Sequence, residues 1–417
     1  MPSDVDVVVI GGGAAGVAAA KRLQQAKLDC LLVEARPRLG GRAWTVHDAD
    51  GHALDLGCGW LHSADRNPWV GVAQAEGLMI DRMTPPWMSR HLERNFPRAD
   101  YADYRKAFGE FYRRLHEAAR RATDAPASSL LDPSSRWNPL LNASSTYISG
   151  AELDRISLQD LERYDSTDIN WRIVEGYGTL IAKHGAGLPQ MLGCPVSAID
   201  HSGKRLRIET GKGTIAADRV IVTVPSAVLA AEQIRFAPSL PQKIEAAAGL
   251  PLGVDDKLFV ALDGAEEFDV SVRVFGHIDR VATAGYHVRP FGWPIIECYF
   301  GGACAAELEP GGLPAFFDFA AAELTGVFGS DFARRLKPLR VHGWRSDPFA
   351  RGAYSYAVPG KADCRAALAE PVEDRLFFAG EACSRHDFST AHGGYLTGVA
   401  AAEAVIAARG EPPSASR

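Results

Sequence analysis

The first forty residues constrain the fold most strongly, because they predict a strand, a glycine-rich turn, a helix and a second strand. The strand and the turn are Asp6-Val7-Val8-Val9-Ile10 and Gly11-Gly12-Gly13-Ala14-Ala15-Gly16. Gly11 allows the tight turn, Gly13 lets the backbone approach a pyrophosphate, and Gly16 lets helix and strand pack closely. A helix that begins at Ala14 and Ala15 offers N–H groups and partial positive charge to phosphates. The pattern predicts an adenine dinucleotide site; the alternative is a turn that serves packing alone.

The second strand ends on an acidic residue, as a ribose-binding strand would. Glu34 follows Gly16 by eighteen residues, and its carboxylate would accept hydrogen bonds from ribose hydroxyls. Ala35 comes next, and Gly41 and Arg42 follow in a short loop. A glycine N–H and a fixed guanidinium suit a second phosphate contact. The alternative for this loop is a flexible basic segment.

A third glycine-containing segment lies at residues 57–62, with the sequence Gly57-Cys58-Gly59-Trp60-Leu61-His62. Its small residues would let a flat ring system approach the backbone. Residues 57–60 are therefore candidate cofactor contacts. Taken alone, the segment is more typical of a strand with a buried tryptophan and an incidental histidine.

Composition excludes several classes of protein. The chain has 417 residues, which is enough for two domains. Its content of 47% apolar and 23% charged residues is typical of a globular protein. A net charge of −6 argues against nucleic-acid binding. Seven cysteines without a CxxC pair indicate reduced thiols in a cytoplasmic protein, with no disulfide framework and no metal site. No run of 18 apolar residues predicts a membrane span.

The middle of the chain changes character. Aromatic and apolar residues recur every three or four positions from Tyr101 to Ala119, which predicts an amphipathic helix. Such a stripe is more often a packing surface than a ligand site. Segments 196–199, 205–208 and 219–225 then predict strands.

These patterns predict an α/β protein with two domains. A Rossmann-like cofactor-binding domain is expected from three segments, residues 1–75, 176–263 and 346–417. Residues 76–175 and 264–345 are expected to form an α+β substrate-binding domain with a mixed or antiparallel sheet and flanking helices.

Several sequence blocks, in the same order, make the chain similar to the flavin-dependent amine oxidases: monoamine oxidases, polyamine oxidases and histone lysine demethylases. The blocks are VVVIGGGAAG, VEARPRLGGRAW, LDLGCGWLH, GYGTL, VIVTVPSAVL, LPLGVDDKLFV, DPFARGAYSY and FFAGEACSRHDFSTAHGGYLTGV. They cover both ends and the middle of the chain, but not the insertion from 76 to 165. The resemblance implies that the three-segment domain binds FAD.

The resemblance also assigns cofactor contacts. It implies that Gly11, Gly13, Gly16 and Glu34 hold the adenosine diphosphate half of FAD, beside Arg42. It places Val196 at the adenine and Gly380 with Glu381 at the flavin side. A helix opening near Gly394 and Tyr395 would aim its N-terminus at the flavin N1–C2=O edge, where a helix dipole favours reduction.

Four candidate catalytic residues come from the same resemblance. Lys257 resembles the lysine that holds a water at flavin N5, although a surface lysine is the alternative. Tyr354 and Tyr395 match two tyrosines that face the flavin, and they would sandwich an amine; each is otherwise a core tyrosine. His62 matches a His or Glu near the substrate. Ala353 replaces the cysteine that tethers flavin in mammalian monoamine oxidases, so FAD is expected to bind noncovalently.

The activity implied by the resemblance is oxidation of a small amine, with hydride transfer to flavin N5 and reoxidation by O2 to hydrogen peroxide. Alternatives are an amino acid oxidase, a desaturase of the same fold, and a flavin-bound regulatory module without turnover. Arg172, Arg273 and Arg289 stay open as partners for a substrate carboxylate. Neither nucleic acid nor membrane is an expected partner, and a homodimer is one option for the oligomeric state.

Overall fold

The structure, a computed structural model, describes residues 4–88, 93–120 and 123–410. In these residues the strands are β1 (Asp4–Ile10), β2 (Cys30–Val33), β3 (Thr45–His47), β4 (Ala53–Asp55), β5 (Ile80–Asp81), β6 (Arg172–Ile173), β7 (Gln190–Met191), β8 (Val196–Asp200), β9 (Leu206–Thr210), β10 (Gly213–Val222), β11 (Arg235–Ala237), β12 (Asp255–Leu262), β13 (Val272–Phe275), β14 (Gly285–Val288), β15 (Ile295–Gly301), β16 (Leu336–Val341) and β17 (Leu376–Phe378). The α-helices are α1 (Ala14–Gln25), α2 (Pro68–Ala75), α3 (Arg98–Ala119), α4 (Asn138–Ser149), α5 (Leu158–Arg163), α6 (Tyr177–Gly185), α7 (Ser226–Ala230), α8 (Pro241–Ala248), α9 (Gly302–Leu308), α10 (Gly312–Phe328), α11 (Cys364–Ala369) and α12 (Ala391–Gly410).

The larger sheet is built around β1, an apolar strand that is buried on both faces. Its strand order is β11-β8-β9-β10-β1-β2-β7, and β17 pairs with the end of β10. Strands β2, β10 and β17 run parallel to β1 or to its neighbour. The carboxyl ends of these strands therefore meet at one edge, where open α/β sheets bind ligands.

Helices α1 and α12 pack closely against each other at this edge. A Cβ on Gly398 of α12 would lie 2.1 Å from the Ala15 carbonyl oxygen of α1, so only glycine fits there. Both helices begin at the carboxyl edge of the sheet, at Ala14 and Ala391. Two helix N-termini, with their unpaired N–H groups, thus face the same space.

The second sheet is antiparallel, with the order β13-β14-β15-β12-β16. One face packs on α9 and α10 and forms a separate apolar core. Because side chains alternate along a strand, the opposite face carries Lys257, Glu297, His287 and Arg273. The expected α/β architecture with an additional antiparallel sheet is confirmed.

The insertion contains the predicted amphipathic helix, which is α3 and buries Tyr104, Phe111 and Leu115. Helix α4 was not predicted from the sequence, because its buried face includes serines and a threonine that disguise the apolar pattern. These side chains are satisfied internally: the Ser144 hydroxyl lies 2.8 Å from the Tyr104 hydroxyl. Hydrogen bonds of this kind allow α4 to bury a face that contains polar side chains.

The division into domain segments stays a prediction. Strand β12 falls in the expected cofactor-binding segment 176–263, whereas in the structure it pairs with β15 and β16 of the second sheet. In the part of the chain that the structure describes, no helix combines the length and the apolarity that crossing a bilayer requires.

Candidate active site

A cavity of about 1380 Å³ joins the carboxyl edge of the larger sheet to the polar face of the second sheet and to the helical insertion. Its walls therefore come from both expected domains. Most predicted cofactor residues line it: Gly11, Gly13, Ala14, Ala15, Glu34, Ala35, Gly41, Arg42, Gly57, Cys58, Gly59, Trp60, Val196, Gly380, Glu381 and Gly394. Among the predicted catalytic residues, His62, Lys257 and Tyr354 line it as well.

The glycine turn leaves room for a bulky group beside the backbone. Gly11 has a φ of +105°, which residues with a side chain rarely adopt. A Cβ on Gly13 would meet nothing closer than the Gly41 Cα at 3.8 Å, so open space lies beside this residue. Gly16 lies behind the turn, where its Cβ would be 1.8 Å from the Gly11 carbonyl oxygen. Gly16 thus serves packing and does not line the cavity.

Glu34 is buried and already holds the turn in place. Its carboxylate accepts hydrogen bonds from the Gly12 N–H at 2.6 Å and the Arg36 N–H at 2.7 Å. A carboxylate has further acceptor sites that these two bonds leave for ribose hydroxyls. The turn, the acid and the N-terminus of α1 fit the adenosine diphosphate half of FAD.

Glu381 is a second buried acid among the residues that line the cavity. It accepts hydrogen bonds from the Ser355 hydroxyl at 2.6 Å and the Ser389 N–H at 2.9 Å, and it pairs with the Arg42 guanidinium at 3.0 Å. Burial alone would raise the pKa of Glu381, but the charges of Arg42 and Arg365 hold it below its ordinary value. The carboxylate therefore stays ionised and fixes Arg42 at the cavity wall.

Tyr395 does not line the cavity. Helix α12 begins four residues earlier, so Tyr395 lies one turn inside the helix, on the side that packs toward α2. Its ring centroid is 5.1 Å from that of Trp69, in the apolar core. In this structure the Tyr395 ring packs on the apolar core, while Phe388, Thr390 and Ala391 line the cavity, so a role for Tyr395 beside a bound ring stays a prediction.

Lys257 lies in a buried ionic network. Its Nζ donates to the Asp55 carbonyl oxygen at 3.1 Å and pairs with Glu297 at 3.0 Å. Glu297 also pairs with Arg172, with an Nη1–Oε2 distance of 2.9 Å. Burial would raise the pKa of Glu297, but the neighbouring charges of Arg172 and Lys257 hold it well below its usual range. An ionised Glu297 thus positions Lys257 at the cavity wall.

Aromatic side chains form the wall beside Lys257. The Tyr354 hydroxyl donates to the Tyr147 carbonyl oxygen at 2.6 Å, which fixes the direction of the ring. Trp60 Nε1 donates to the Tyr299 hydroxyl at 3.3 Å, and Trp60 meets Trp87 edge-on with 4.4 Å between ring centroids. Burial raises the pKa of Tyr354 well above its ordinary value, so its hydroxyl stays protonated.

His62 presents a neutral imidazole to the cavity. Burial lowers its pKa to about 4, against the opposing effect of a hydrogen bond to Asn170. The His62 Nδ1–Asn170 Oδ1 distance is 2.7 Å, and Asn170 Nδ2 donates to the Asp168 carbonyl oxygen at 3.0 Å. This second bond orients the amide, so Nδ1 of His62 donates and Nε2 is left as an acceptor.

Sequence reasoning missed several residues that complete the site, notably Glu297, Tyr299, Asn170 and Asp255. Glu297 and Tyr299 are two positions apart on β15, so they share the face that carries Lys257. That alternation was a usable signal in the sequence, but the pairing of β15 with β12 was not. Asp255 lines the cavity, and its Oδ1 is shielded from water and has no hydrogen-bond partner among the described residues.

Replacing Asp255 with asparagine is expected to stabilise the fold increasingly as pH rises toward 8. Burial raises the pKa of Asp255 to about 8, against the nearby charge of Lys257. The folded protein thus keeps a proton that the unfolded chain loses near pH 4, so wild-type stability falls between these two values and levels off above 8. Urea unfolding of both proteins at pH 5, 7 and 9 measures the gap in free energy. A difference in free energy of unfolding that stays constant with pH would contradict the raised pKa of Asp255.

Comparison with known proteins agrees with this geometry. Residues 14–164 and 127–406 match the family of flavin-containing amine oxidoreductases. A polyamine oxidase 4 of Oryza sativa subsp. japonica is 30% identical over 96% of this chain and 88% of its own length. The human lysine-specific histone demethylase 2 is 26% identical over 96% of this chain, which spans 53% of that protein.

A solved structure of a putrescine oxidase bound to putrescine matches with a TM-score of 0.78, over 97% of this chain and 99% of that one. At 18% identity this similarity supports the fold alone. The predicted family, fold class and cofactor are confirmed. The chain belongs to the flavin-containing amine oxidoreductases, with FAD as its cofactor.

Proposed function

We propose that the chain oxidises the C–N bond of a small amine in the large cavity. The observation that carries the proposal is that one cavity contains both the glycine turn suited to the cofactor phosphates and the buried Lys257 network. The chemistry that bound FAD supplies is hydride abstraction from the amine α-carbon to N5 and return of the electrons to O2, giving an imine and hydrogen peroxide.

The chain's own residues hold the cofactor without a covalent bond in this proposal. Ala353 has no thiol to form a tether. Two cysteines line the cavity, Cys58 and Cys194. Burial raises the pKa of Cys58, which lies beside the expected ring contacts, to about 12 and keeps it a thiol. A thiol is a poor nucleophile compared with a thiolate. Denaturation with trichloroacetic acid should therefore release all the FAD into the supernatant.

Four side chains act on the amine and on the reacting atoms. Tyr354 and Trp60 supply aromatic surface that excludes water and orients the amine. The neutral Nε2 of His62 accepts a hydrogen bond from an amine N–H, which orients the amine in the cavity. Lys257, held by Glu297 and the Asp55 carbonyl, would hold a water for the reacting nitrogen of bound flavin.

A panel of primary amines, polyamines and amino acids tests the proposal. We expect at least one amine to produce hydrogen peroxide in proportion to the oxygen consumed, and to bleach the flavin under anaerobic conditions. Failure of every amine and amino acid to bleach the flavin would favour the regulatory module instead. A cytoplasmic location is also proposed, because all seven cysteines are free and five of them are buried.

A further inference from the structure

Arg273 is a charged side chain on the cavity wall that the proposed chemistry does not use. It lies on β13, directly across from His287 on β14, which in turn lies across from Glu297 on β15. The three side chains therefore share the face of the sheet that carries Lys257. Arg273 lines the same cavity as Lys257.

The three arginines that could meet a substrate carboxylate differ in their partners. Arg172 is neutralised by Glu297, and Arg289 donates to the Phe268 carbonyl oxygen at 2.6 Å. Arg273 has neither a hydrogen bond nor an ion pair with any residue in the described ranges 4–88, 93–120 and 123–410. Its guanidinium instead lies 4.2 Å from the centre of the Phe275 ring.

The surroundings of Arg273 make its charge costly. Ionisable side chains around it include Tyr104, Tyr101, Tyr147 and Arg105, and His287 lies directly across on β14. None of these is a carboxylate, and burial is the main cause that lowers the pKa of Arg273. Arg105 also lines the cavity and adds a second positive charge. A partly buried guanidinium without a counter-ion loses hydration that nothing replaces. A ligand that brings the missing anion would offset that cost.

We propose that Arg273 binds a carboxylate that the amine substrate carries at a distance from the oxidised C–N bond. The proposal rests on the proposed function and adds a substrate class to it, the ω-amino carboxylates. A guanidinium offers two parallel donors to a carboxylate, which fixes the far end of such a substrate. The same charge repels the second ammonium of a diamine, so the far end discriminates against polycations.

The position of Arg273 in the sheet separates this substrate class from α-amino acids. The order β12-β15-β14-β13 puts three strand spacings between Lys257 and Arg273. At about 4.8 Å for each spacing, the two strands are about 14 Å apart. An α-amino acid carries its carboxylate on the carbon that is oxidised, so it cannot reach both residues. A linear ω-amino acid can.

Two isomers, 8-aminooctanoate and 2-aminooctanoate, test the distance, with octylamine and 1,8-diaminooctane as uncharged-end and cationic-end references. On the holoenzyme we expect kcat/KM to be highest for 8-aminooctanoate. Arg273→Gln should lower that kcat/KM by about 10- to 100-fold, as for the loss of a charged hydrogen-bonded pair, with octylamine unchanged. Arg280→Gln removes an exposed arginine and is the matched control. The proposal would be overturned if the ratio of kcat/KM for 8-aminooctanoate to kcat/KM for octylamine were equal in wild type and Arg273→Gln. A preference of the wild type for 2-aminooctanoate would overturn it as well.

Binding of octanoate gives a readout that needs no turnover. Titration of the holoenzyme by calorimetry should show octanoate binding that weakens by about 10- to 100-fold in Arg273→Gln. Arg273→Lys keeps the charge but loses the paired donors, so its affinity for octanoate should lie between those of wild type and Arg273→Gln. If Arg273→Gln does not fold, Arg273→Lys provides the comparison with wild type. Unchanged octanoate affinity in both variants refutes this inference. Octanoate binding that depends on Arg273, with no amine oxidised, refutes the proposed function alone.

Discussion

Replacing Lys257 with methionine is expected to slow flavin reduction or flavin reoxidation by about 100- to 1000-fold, with FAD still bound. That range is typical for the loss of one preorganised donor in an active site. Methionine keeps most of the length of the side chain but cannot donate to the Asp55 carbonyl or pair with Glu297. The protein would lose the group that holds a water at the reacting nitrogen, while the cofactor contacts at the glycine turn stay intact.

Stopped-flow absorbance measures the two half-reactions separately, first with amine under anaerobic conditions and then with oxygen added to the reduced enzyme. The FAD content of the purified variant shows whether the cofactor is retained. Lys204→Met is a suitable control, since Lys204 is exposed. Wild-type rates in both half-reactions of the Lys257→Met variant would remove Lys257 from the mechanism.

Replacing Gly16 with alanine is expected to abolish FAD binding and to destabilise the protein. The added Cβ would lie 1.8 Å from the Gly11 carbonyl oxygen and 2.9 Å from the Thr223 hydroxyl. Because the nearer contact is backbone, α1 must move away from β1, and the N–H groups that face the cofactor phosphates move with it. Overpacking of this kind costs about 1–3 kcal/mol or more.

Replacing a glycine that has open space around it is expected to stabilise the protein, in contrast to Gly16→Ala. Gly109 is exposed in the middle of α3, and a Cβ there would have no atom within 4 Å. Gly109→Ala should stabilise the protein by up to about 1 kcal/mol, because alanine is the better helix former. Urea unfolding and FAD content of the two variants measure both effects. Full FAD occupancy in Gly16→Ala would show that the close contact can relax.

The cofactor-binding half of the cavity could be predicted from sequence because its signals are local. The glycine turn, Glu34 and Arg42 lie within forty-two residues, and each residue type has a specific reason to occur at its position. The order of the later blocks then distinguished FAD from other dinucleotides. These residues line the cavity as expected, apart from Gly16, whose role in packing was also expected.

The substrate half could not be predicted in the same way, since it depends on contacts between distant segments. The pairing of Lys257 with Glu297 follows from the register of β12 and β15, which no local pattern specifies. Tyr395 was assigned from a motif, but the packing of α12 against α2 sets the direction of its side chain. Arg273 was one of three arginines left open, and only the partners of the other two single it out.

The central claim is that this cavity brings an amine α-carbon to the flavin. Anaerobic mixing of the holoenzyme with an oxidisable amine, and with the same amine carrying deuterium at the α-carbon, tests that claim most directly. We expect the visible absorbance of oxidised flavin to disappear without oxygen, and to disappear more slowly with the deuterated amine, because the α-C–H bond breaks in this step. A flavin spectrum that stays oxidised with every amine, or a bleaching rate that deuterium leaves unchanged, would contradict it.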